Sequence, residues 1–247
     1  MSIVVTVPTY NEAQNIEALV TAILQQDPRI AVLVADDSSP DGTAEIVRAM
    51  EARDRRVQLL LRKTDRGRGR AGRDAFVKAL AQGADLVFEM DADFSHDPIH
   101  LPEMIKALER CDVVLGSRQV PGGADIGRPA WRRALTRASN LYVRLVLGLP
   151  VQDCNSGYRG WRRHALMVID VGRAFSPGPA IVHELLYKAH LRGQRLGEIP
   201  IQFRERERGD STLSFSTLLR SYVTVLRLRW MALTSRLFVR RATEGAA

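Results

Sequence analysis

Short apolar runs of strand length alternate with helical stretches through the first half of this chain, and this order limits the possible folds. The apolar runs are residues 3–7, 31–35, 57–61, 86–90 and 113–115. Helical spacing of apolar residues lies between them, at residues 12–25, 43–52, 71–81 and 101–109. Strands that are buried on both faces have continuous apolar sequences. We therefore predict an α/β fold, with a mostly parallel sheet and helices on both of its faces.

The second half of the chain has a different pattern. Residues 129–148 carry apolar side chains at helical spacing and arginines mostly on other faces, which predicts a cationic amphipathic helix. A further helix is predicted at residues 180–191, a strand at residues 196–203, and then a long helical tail. No clear linker separates two domains. We expect one main domain over residues 1–210, followed by amphipathic helices over residues 211–247.

Positive charge is concentrated in this tail. The formal net charge is +8, and residues 211–243 contain no Asp or Glu but six arginines: Arg220, Arg227, Arg229, Arg236, Arg240 and Arg241. On one straight helix Arg220 and Arg227 would lie nearly opposite Arg229, Arg236 and Arg240, so we predict a bend or break near residues 228–231 that separates two shorter amphipathic helices. The interleaved apolar residues predict attachment of residues 217–241 to an anionic membrane surface. A nucleic-acid site or a solvated face of a packed helix are the alternatives.

Composition excludes several classes of protein. Cys111 and Cys154 are too few for a disulfide framework and lack the clustered spacing of a zinc site. No run of about 18 apolar residues occurs, so no segment is expected to span a membrane. The first residues lack the features of a signal peptide and are interpreted as a strand. We expect a cytoplasmic protein with reduced thiols, bound peripherally to the cytoplasmic face of a membrane.

Two acidic clusters follow two of the predicted strands. One is Asp36-Asp37-Ser38-Ser39-Pro40-Asp41-Gly42-Thr43, and the other is Asp91-Ala92-Asp93. Ligands of open α/β sheets bind outside the carboxyl ends of the strands. Residues two apart in an extended segment project to the same side, so Asp91 and Asp93 can converge on one ion. We predict that they hold Mg²⁺ or Mn²⁺, which in turn binds a diphosphate.

Three further motifs each allow more than one interpretation. Residues 67–72 match the G-x-G-x-x-G pattern of dinucleotide-binding proteins, but they follow the third predicted strand rather than the first. We interpret them as a cationic loop near a phosphate, with an NAD enzyme or a structural loop as alternatives. His96 and His100 are four residues apart, but Pro98 lies between them, which disfavours a histidine metal site. They are interpreted as surface or helix-capping residues. Residues 153–158 are interpreted as a turn beside the site, since no pattern for a serine or cysteine nucleophile is present.

Arg118 directly follows the fifth predicted strand. It is therefore expected at the same sheet edge as the carboxylates. Its planar guanidinium is suited to binding two phosphate oxygens. An ion pair with Asp91 or Asp93 is the alternative.

Five segments occur in a characteristic order. They are Val7-Pro8-Thr9-Tyr10-Asn11-Glu12, the cluster at residues 36–43, Glu89-Met90-Asp91-Ala92-Asp93-Phe94-Ser95-His96, Gly116-Ser117-Arg118 and Asn155-Ser156-Gly157-Tyr158-Arg159. Together they resemble the dolichyl- or polyprenyl-phosphate mannose synthases, which are family 2 glycosyltransferases with a GT-A, Rossmann-like fold. The resemblance extends over about residues 3–213.

The resemblance implies roles for individual residues. The residues that would contact the nucleotide are Pro8, Tyr10, Glu12, Ala35 and Asp37. Asp91, Ala92 and Asp93 would meet the metal and the diphosphate, with Ser95 as a candidate third metal ligand. Arg118 and Arg206 would bind phosphates of the donor, and Thr212 stands where the family has a phosphate-binding lysine. Arg118, Arg132 and Arg133 are the candidates for binding the acceptor phosphate.

The implied reaction is metal-dependent, inverting transfer of mannose from GDP-mannose to a polyprenyl or dolichyl monophosphate. No strong general base is expected, because a phosphate monoester with a second pKa of about 6 is already anionic at neutral pH. The expected partners are the nucleotide sugar, the lipid phosphate, the membrane surface and a separate membrane-anchor subunit, without nucleic acid. The alternatives are a UDP-sugar donor such as UDP-glucose, or a nucleotide- or nucleic-acid-binding module without catalysis.

Overall fold

A computed structural model describes residues 1–176, 178–204 and 215–234 of the chain. The strands are β1 (Ile3–Thr9), β2 (Ile30–Asp36), β3 (Val57–Leu61), β4 (Leu86–Glu89), β5 (Val113–Ser117), β6 (Ala124–Ile126), β7 (Arg159–Arg162), β8 (Leu196–Pro200) and β9 (Gln202–Arg204). The helices are α1 (Ile16–Leu24), α2 (Thr43–Arg53), α3 (Arg68–Ala81), α4 (Leu101–Ala107), α5 (Ala130–Leu147), α6 (Arg163–Val168), α7 (Ile181–Leu191) and α8 (Phe215–Leu233).

Seven of the described strands form one sheet in the order β3-β2-β1-β4-β7-β5-β8. Neighbouring strands are parallel except for β7, which is antiparallel to both β4 and β5. The strand order reverses between β1 and β4, and ligands of such sheets bind at the carboxyl end of this switch point. Strands β6 and β9 form a separate parallel pair. The predicted α/β fold with a mostly parallel sheet is confirmed.

Apolar side chains are buried on both faces of the sheet. Ile3, Val5 and Val7 of β1 pack with α1 and α4 on one face, and Val4 packs with α3 on the other. This alternation follows from the two-residue period of a strand. The same second face holds α5, α7 and α8, which bury Val143, Leu186 and Leu228 there. Helices therefore cover both faces, as predicted.

The structure corrects the expected strands of the second half. The single strand predicted at residues 196–203 is two strands, because Ile201 separates β8 in the main sheet from β9 in the small one. Strand β7 was not predicted. Its Arg159 is buried, with guanidinium N–H groups donating to the carbonyls of Ser156 and Cys154 at 2.7 Å. Gly160 is required there, because a Cβ would overlap the ring of Phe88.

The prediction of two shorter helices separated near residues 228–231 is wrong, because α8 is a single helix that continues through them. Val225 and Leu228 are fully buried against the core. Two arginines of the helix have partners within the protein: the Arg227 guanidinium lies 5.3 Å from the ring centre of Phe175, and Arg229 donates to the Tyr187 hydroxyl at 3.4 Å. One continuous polar face is therefore not required.

Helices α5 and α8 lie against each other and expose apolar side chains. The rings of Tyr142 and Tyr222 meet edge to face at 5.2 Å, and the Tyr142 hydroxyl donates to the Tyr222 carbonyl. The exposed apolar residues are Trp131, Leu135, Leu141 and Leu145 on α5, and Val223, Leu226, Trp230 and Leu233 on α8. Within the described residues, no helix combines the length and the apolar character needed to cross a membrane.

Candidate active site

Three loops at the carboxyl ends of β1, β2 and β4 form the candidate site. Each loop contains one non-glycine residue in the left-handed region: Asn11 (φ 60°), Ser38 (φ 54°) and Phe94 (φ 60°). A bulky residue such as Phe94 rarely adopts this conformation, because its Cβ is crowded there. Backbone strain of this kind concentrates at functional sites, where the surrounding structure maintains it.

The carboxylates at the end of β2 are bound within the protein. Asp36 accepts hydrogen bonds from the Thr9 hydroxyl at 2.8 Å and from the Ser39 hydroxyl at 2.6 Å. Asp37 forms a buried ion pair with Arg62 and accepts a bond from the Gly67 N–H at 2.7 Å. These contacts fix the loop, so this cluster serves as a scaffold rather than a second site for a cation.

The residues expected to contact the nucleotide lie around the ends of β1 and β2. Pro8 and Ala35 are register partners in the two strands, and Tyr10 is exposed just beyond β1. Glu12 accepts a hydrogen bond from the Asn15 side chain at 3.0 Å. A cleft of about 340 Å³ lies between the two loops, and it is lined by Asn11, Glu12, Gln14, Asn15, Pro40 and Asp41.

The loop after β4 carries the predicted metal ligands. Asp91 is 37% exposed, whereas Ala92 is buried within the hydrophobic core. Asp93 Oδ1 accepts two bonds from Ser95, one from its N–H at 3.1 Å and one from its hydroxyl at 2.6 Å. The side chain of Ser95 is thereby held beside Asp93, on the same loop as Asp91.

Arg68, the first residue of α3, connects two carboxylates of this edge. Its Nη1 donates to Glu89 Oε1 and its Nη2 donates to Asp91 Oδ1, both at 2.8 Å. Burial disfavours the charged form of Arg68, but Glu89 and Asp91 outweigh that effect and raise its pKa. The cationic loop expected near a phosphate thus reaches a predicted metal ligand directly.

His96 is not a surface or capping residue, as the sequence had suggested. Its side chain is buried, stacks on Tyr158 at 5.2 Å, and accepts the Asp91 N–H on Nδ1 at 3.1 Å. Burial lowers the pKa of this imidazole, despite the nearby Asp91 and Asp93. His96 therefore acts as a neutral support for the backbone of the acidic loop. His100 occupies the N-cap position of α4, but its side chain makes no capping hydrogen bond there.

The donor groups at this edge suit a hard divalent cation. Asp91 and Asp93 offer carboxylate oxygens and Ser95 a hydroxyl, with no thiol among them. Within the part of the chain that the structure describes, no group of three or more His, Cys, Asp or Glu residues is arranged to hold a metal ion. Mg²⁺ is commonly bound by one or two carboxylates together with substrate phosphates rather than by a complete protein cage. The residues fit that mode of binding.

Arg118 lies at the expected edge but pairs with a residue that the sequence analysis did not consider. Its Nε and Nη2 bind both carboxylate oxygens of buried Asp153, at 2.7 and 2.8 Å. The sequence analysis gave an ion pair of Arg118 with Asp91 or Asp93 as the alternative. Arg118 does form an ion pair, but its partner is Asp153 instead. Burial opposes both charges, but the pairing prevails: the pKa of Arg118 is raised and the pKa of Asp153 is lowered.

A buried polar chain extends from this ion pair. Asn140 donates to Asp153 at 3.1 Å, and Asn155 donates to Asn140 at 2.7 Å. The His183 ring lies 2.9 Å from the Asn155 side-chain oxygen. Burial, followed by the effect of Arg159, lowers the pKa of His183 to about 3. The predicted turn at residues 153–158 thus joins α5 and α7 to the site.

The remaining candidates differ in position. Arg132 and Arg133 are exposed in the first turn of α5, where the Arg132 guanidinium lies 5.3 Å from the ring centre of Trp131. Arg206 and Thr212 lie outside the described residues. Arg68, His96 and Asp153 are the site residues whose contacts sequence reasoning missed. A basic residue between two glycines was the one available signal, and it pointed to Arg68.

The chain resembles several known proteins. Residues 4–169 match the family described as "Glycosyl transferase family 2". The undecaprenyl-phosphate mannosyltransferase of Micrococcus luteus is 37% identical over 241 residues, covering 96% of this chain and 99% of that protein. The polyprenol monophosphomannose synthase of Mycolicibacterium smegmatis is 37% identical over 217 residues, covering 87% and 82%. Glucosyl-3-phosphoglycerate synthase from Mycobacterium tuberculosis, crystallised with Mn²⁺, UDP and glucosyl-3-phosphoglycerate, is 21% identical with a TM-score of 0.66, covering 96% and 80%.

Proposed function

The chain belongs to glycosyl transferase family 2, and from this premise we propose that it transfers mannose from GDP-mannose to a polyprenyl or dolichyl monophosphate, with inversion at the anomeric carbon. It is a glycosyltransferase with the predicted GT-A fold. The observation that carries the proposal is the likeness, over nearly the full length of both chains, to a protein named for mannosyl transfer to undecaprenyl phosphate.

On the donor side, the nucleotide would bind at the ends of β1 and β2, where Glu12 lines the cleft and Pro8 and Tyr10 lie near the end of β1. The diphosphate would lie at Asp91, Ala92 and Asp93. Mg²⁺ or Mn²⁺ bound by these carboxylates and Ser95 would neutralise the charge that develops on the departing nucleotide diphosphate. The proposal also assigns a nucleotide contact to Ala35 and Asp37, and a phosphate contact to Arg206.

On the acceptor side, the lipid phosphate itself is the nucleophile. The imidazole nearest the acidic loop, His96, already accepts a hydrogen bond on Nδ1, and burial lowers its pKa, which makes it a poor proton store. A phosphate monoester needs no strong base, because it is anionic at neutral pH. Arg132 and Arg133 would attract this phosphate. Arg118 would contribute through Nη1, which lies 3.9 Å from Asp125, since its other two nitrogens hold Asp153.

A lipid acceptor requires access to a membrane. Helices α5 and α8 expose large apolar side chains such as Trp131 and Trp230, with arginines beside them. Amphipathic helices of this composition bind the interface of anionic membranes. We propose peripheral attachment to the cytoplasmic face through these two helices and the residues that follow α8, with a separate membrane subunit as a further partner.

A UDP-sugar donor is the second candidate. The structural neighbour from M. tuberculosis was crystallised with UDP, so this fold accommodates uracil as well. The test is incubation of the purified protein with Mg²⁺ or Mn²⁺, a short polyprenyl phosphate, and either radiolabelled GDP-mannose or radiolabelled UDP-glucose. We expect lipid-extractable label from GDP-mannose. Label from UDP-glucose instead would favour the second candidate, and nucleotide binding without transfer from either donor would indicate a non-catalytic module.

A further inference from the structure

Arg68 occupies a position that the proposed reaction does not yet explain. Its guanidinium bridges Glu89, which is buried, and Asp91, which is partly exposed, and the side chain is itself 27% exposed. Gly157 faces the group: a Cβ there would lie 3.3 Å from Arg68 Nη2 and 3.4 Å from Asp91 Oδ2. The absence of a side chain at residue 157 leaves space around the guanidinium.

The contact with Asp91 is stronger than an ordinary surface ion pair. The hydrogen bonds of Arg68 to Asp91 and to Glu89 are both charge-assisted and 2.8 Å long. The N-terminus of α3 is also fixed to the same edge, since the Gly67 N–H donates to Asp37. The positive end of the helix dipole therefore faces Asp37, and the Arg68 side chain faces Asp91.

We propose that Arg68 is an internal counter-ion of Asp91 that competes with the divalent cation, and that binding of the nucleotide diphosphate releases Asp91 by giving the guanidinium a second anionic partner. This inference rests on the proposed metal role of Asp91. The guanidinium and the cation both need oxygens of the Asp91 carboxylate. Glu89 keeps one side of the guanidinium in place, and the exposed side is free to turn toward phosphate oxygens, which guanidinium groups bind well.

The consequence is that metal and nucleotide bind cooperatively. Without nucleotide, the Arg68 guanidinium occupies Asp91 Oδ1, and its positive charge opposes a cation that approaches either oxygen of this carboxylate. Moving Arg68 away would leave one hydrogen bond of the guanidinium unmade. With nucleotide, the diphosphate replaces that hydrogen bond. Coupling of this kind is reciprocal, so Mn²⁺ and GDP each increase the affinity for the other by the same factor.

The test measures Mn²⁺ binding by electron paramagnetic resonance, without sugar transfer. In the absence of nucleotide, Arg68→Met should bind Mn²⁺ about tenfold more tightly than the wild type, which corresponds to about 1.4 kcal/mol. With GDP present this difference should shrink, because Arg68 no longer opposes the cation. Arg68→Lys should fall between the two, since an ammonium group lacks the fork that reaches both carboxylates.

Arg70→Met is the matched control. Arg70 lies two residues further along α3 and pairs with Asp65 at 2.7 Å rather than with the acidic loop. The Arg70→Met substitution removes the same charge as Arg68→Met and should leave the affinity for Mn²⁺ unchanged. Melting temperatures of all variants confirm that each is folded, and Arg68→Lys retains the charge if Arg68→Met is unstable.

Equal or weaker Mn²⁺ binding by folded Arg68→Met, including binding too weak to detect in both proteins, would overturn the inference. Asp93→Asn with GDP present separates this failure from failure of the proposed function. If Asp93→Asn weakens Mn²⁺ binding and Arg68→Met does not strengthen it, only the role of Arg68 is wrong. If Asp93→Asn has no effect, the metal assignment itself is wrong.

Discussion

The carboxylates of the site differ in how the protein compensates their charge. Asp36 and Asp37 are buried and bound by hydroxyl, N–H and guanidinium groups, so they hold the loop after β2. Asp91 is more exposed and faces Arg68. Only a carboxylate with access to solvent can exchange its partner for a cation from solution. This difference supports Asp91 and Asp93, rather than the β2 pair, as the metal ligands.

Asp91→Asn and Asp93→Asn should each reduce metal-dependent transfer by about 100-fold or more, because each removes a charge that stabilises the departing diphosphate. Steady-state rates with saturating Mn²⁺ measure the effect. Asp85→Asn is the control, since Asp85 precedes β4 and lies at the opposite end of that strand. Undiminished rates in either folded variant would remove the metal assignment.

Arg118→Lys should lower the free energy of unfolding by about 2 kcal/mol, because lysine cannot bind both oxygens of the buried Asp153. Urea denaturation measures the loss. Arg195→Lys is a matched control: Arg195 also binds both oxygens of one carboxylate, Asp112, but its side chain is 62% exposed. We expect a smaller loss there, because water compensates exposed charges. Equal losses would show that burial of the Arg118 pair contributes nothing.

His183 should make the fold weaker in acid. Its pKa falls from 6.5 to about 3 in the folded protein, so between these values the unfolded chain binds a proton that the folded chain does not. Neutral His183 therefore costs no stability above pH 6.5, whereas below that pH protonation of the unfolded chain progressively lowers the free energy of unfolding. His183→Gln should therefore lose less unfolding free energy between pH 7 and pH 5 than the wild type, by up to about 2 kcal/mol.

Urea denaturation at both pH values provides the comparison. His164→Gln is the control, because the His164 side chain is 53% exposed. It should retain the pH dependence of the wild type. If His183→Gln shows the same acid loss as the wild type, other groups account for it.

Helices and strands were predictable to different degrees. Strands β1 to β5 could be predicted because each is a continuous apolar run, and the sheet buries both faces of such runs. Strand β7 could not, because it contains Arg159 and Arg162, whose guanidinium groups donate to backbone carbonyls contributed by other segments. Burial of a charged side chain by such contacts depends on the folded structure and leaves no periodic signal.

The pair of helices α5 and α8 should attach the protein to membranes. Leu145→Glu and Trp230→Glu should each weaken binding to anionic liposomes by about tenfold, because each replaces an exposed apolar side chain by a charge of the wrong sign. Co-sedimentation measures binding. Met167→Glu is the control, since Met167 is exposed on α6 instead. Truncation before α8 is a poorer test, because Val225 and Leu228 belong to the core and their removal would expose it.

If both glutamate variants sediment with liposomes as the wild type does, the apolar surface of α5 and α8 is not the membrane contact. Raised salt should weaken binding of the wild type, since the chain carries a formal net charge of +8 and salt screens its attraction to anionic lipids. Binding that is insensitive to both changes would show that another surface of the chain contacts the lipid.

Across the whole molecule, the sheet brings together residues that are distant in sequence. The acidic loop could be predicted, because Asp91 and Asp93 follow an apolar strand directly. The partner of Arg118 could not, because Asp153 lies 35 residues away and reaches the site through antiparallel β7 and the turn before it. Arg68 was recognised as part of a cationic loop, but its contact with Asp91 depends on how α3 packs beside β4.

The central claim is that this edge of the sheet transfers a mannosyl group to a lipid phosphate. The most direct measurement compares two acceptors that differ only in the phosphate group: a short polyprenyl phosphate and the corresponding polyprenol, each with radiolabelled GDP-mannose and Mn²⁺. We predict lipid-extractable label with the phosphate and none with the alcohol, because a phosphate monoester is already anionic at neutral pH, whereas a hydroxyl would need a base to activate it. Equal labelling of both acceptors, or label recovered only as free mannose, would contradict the account.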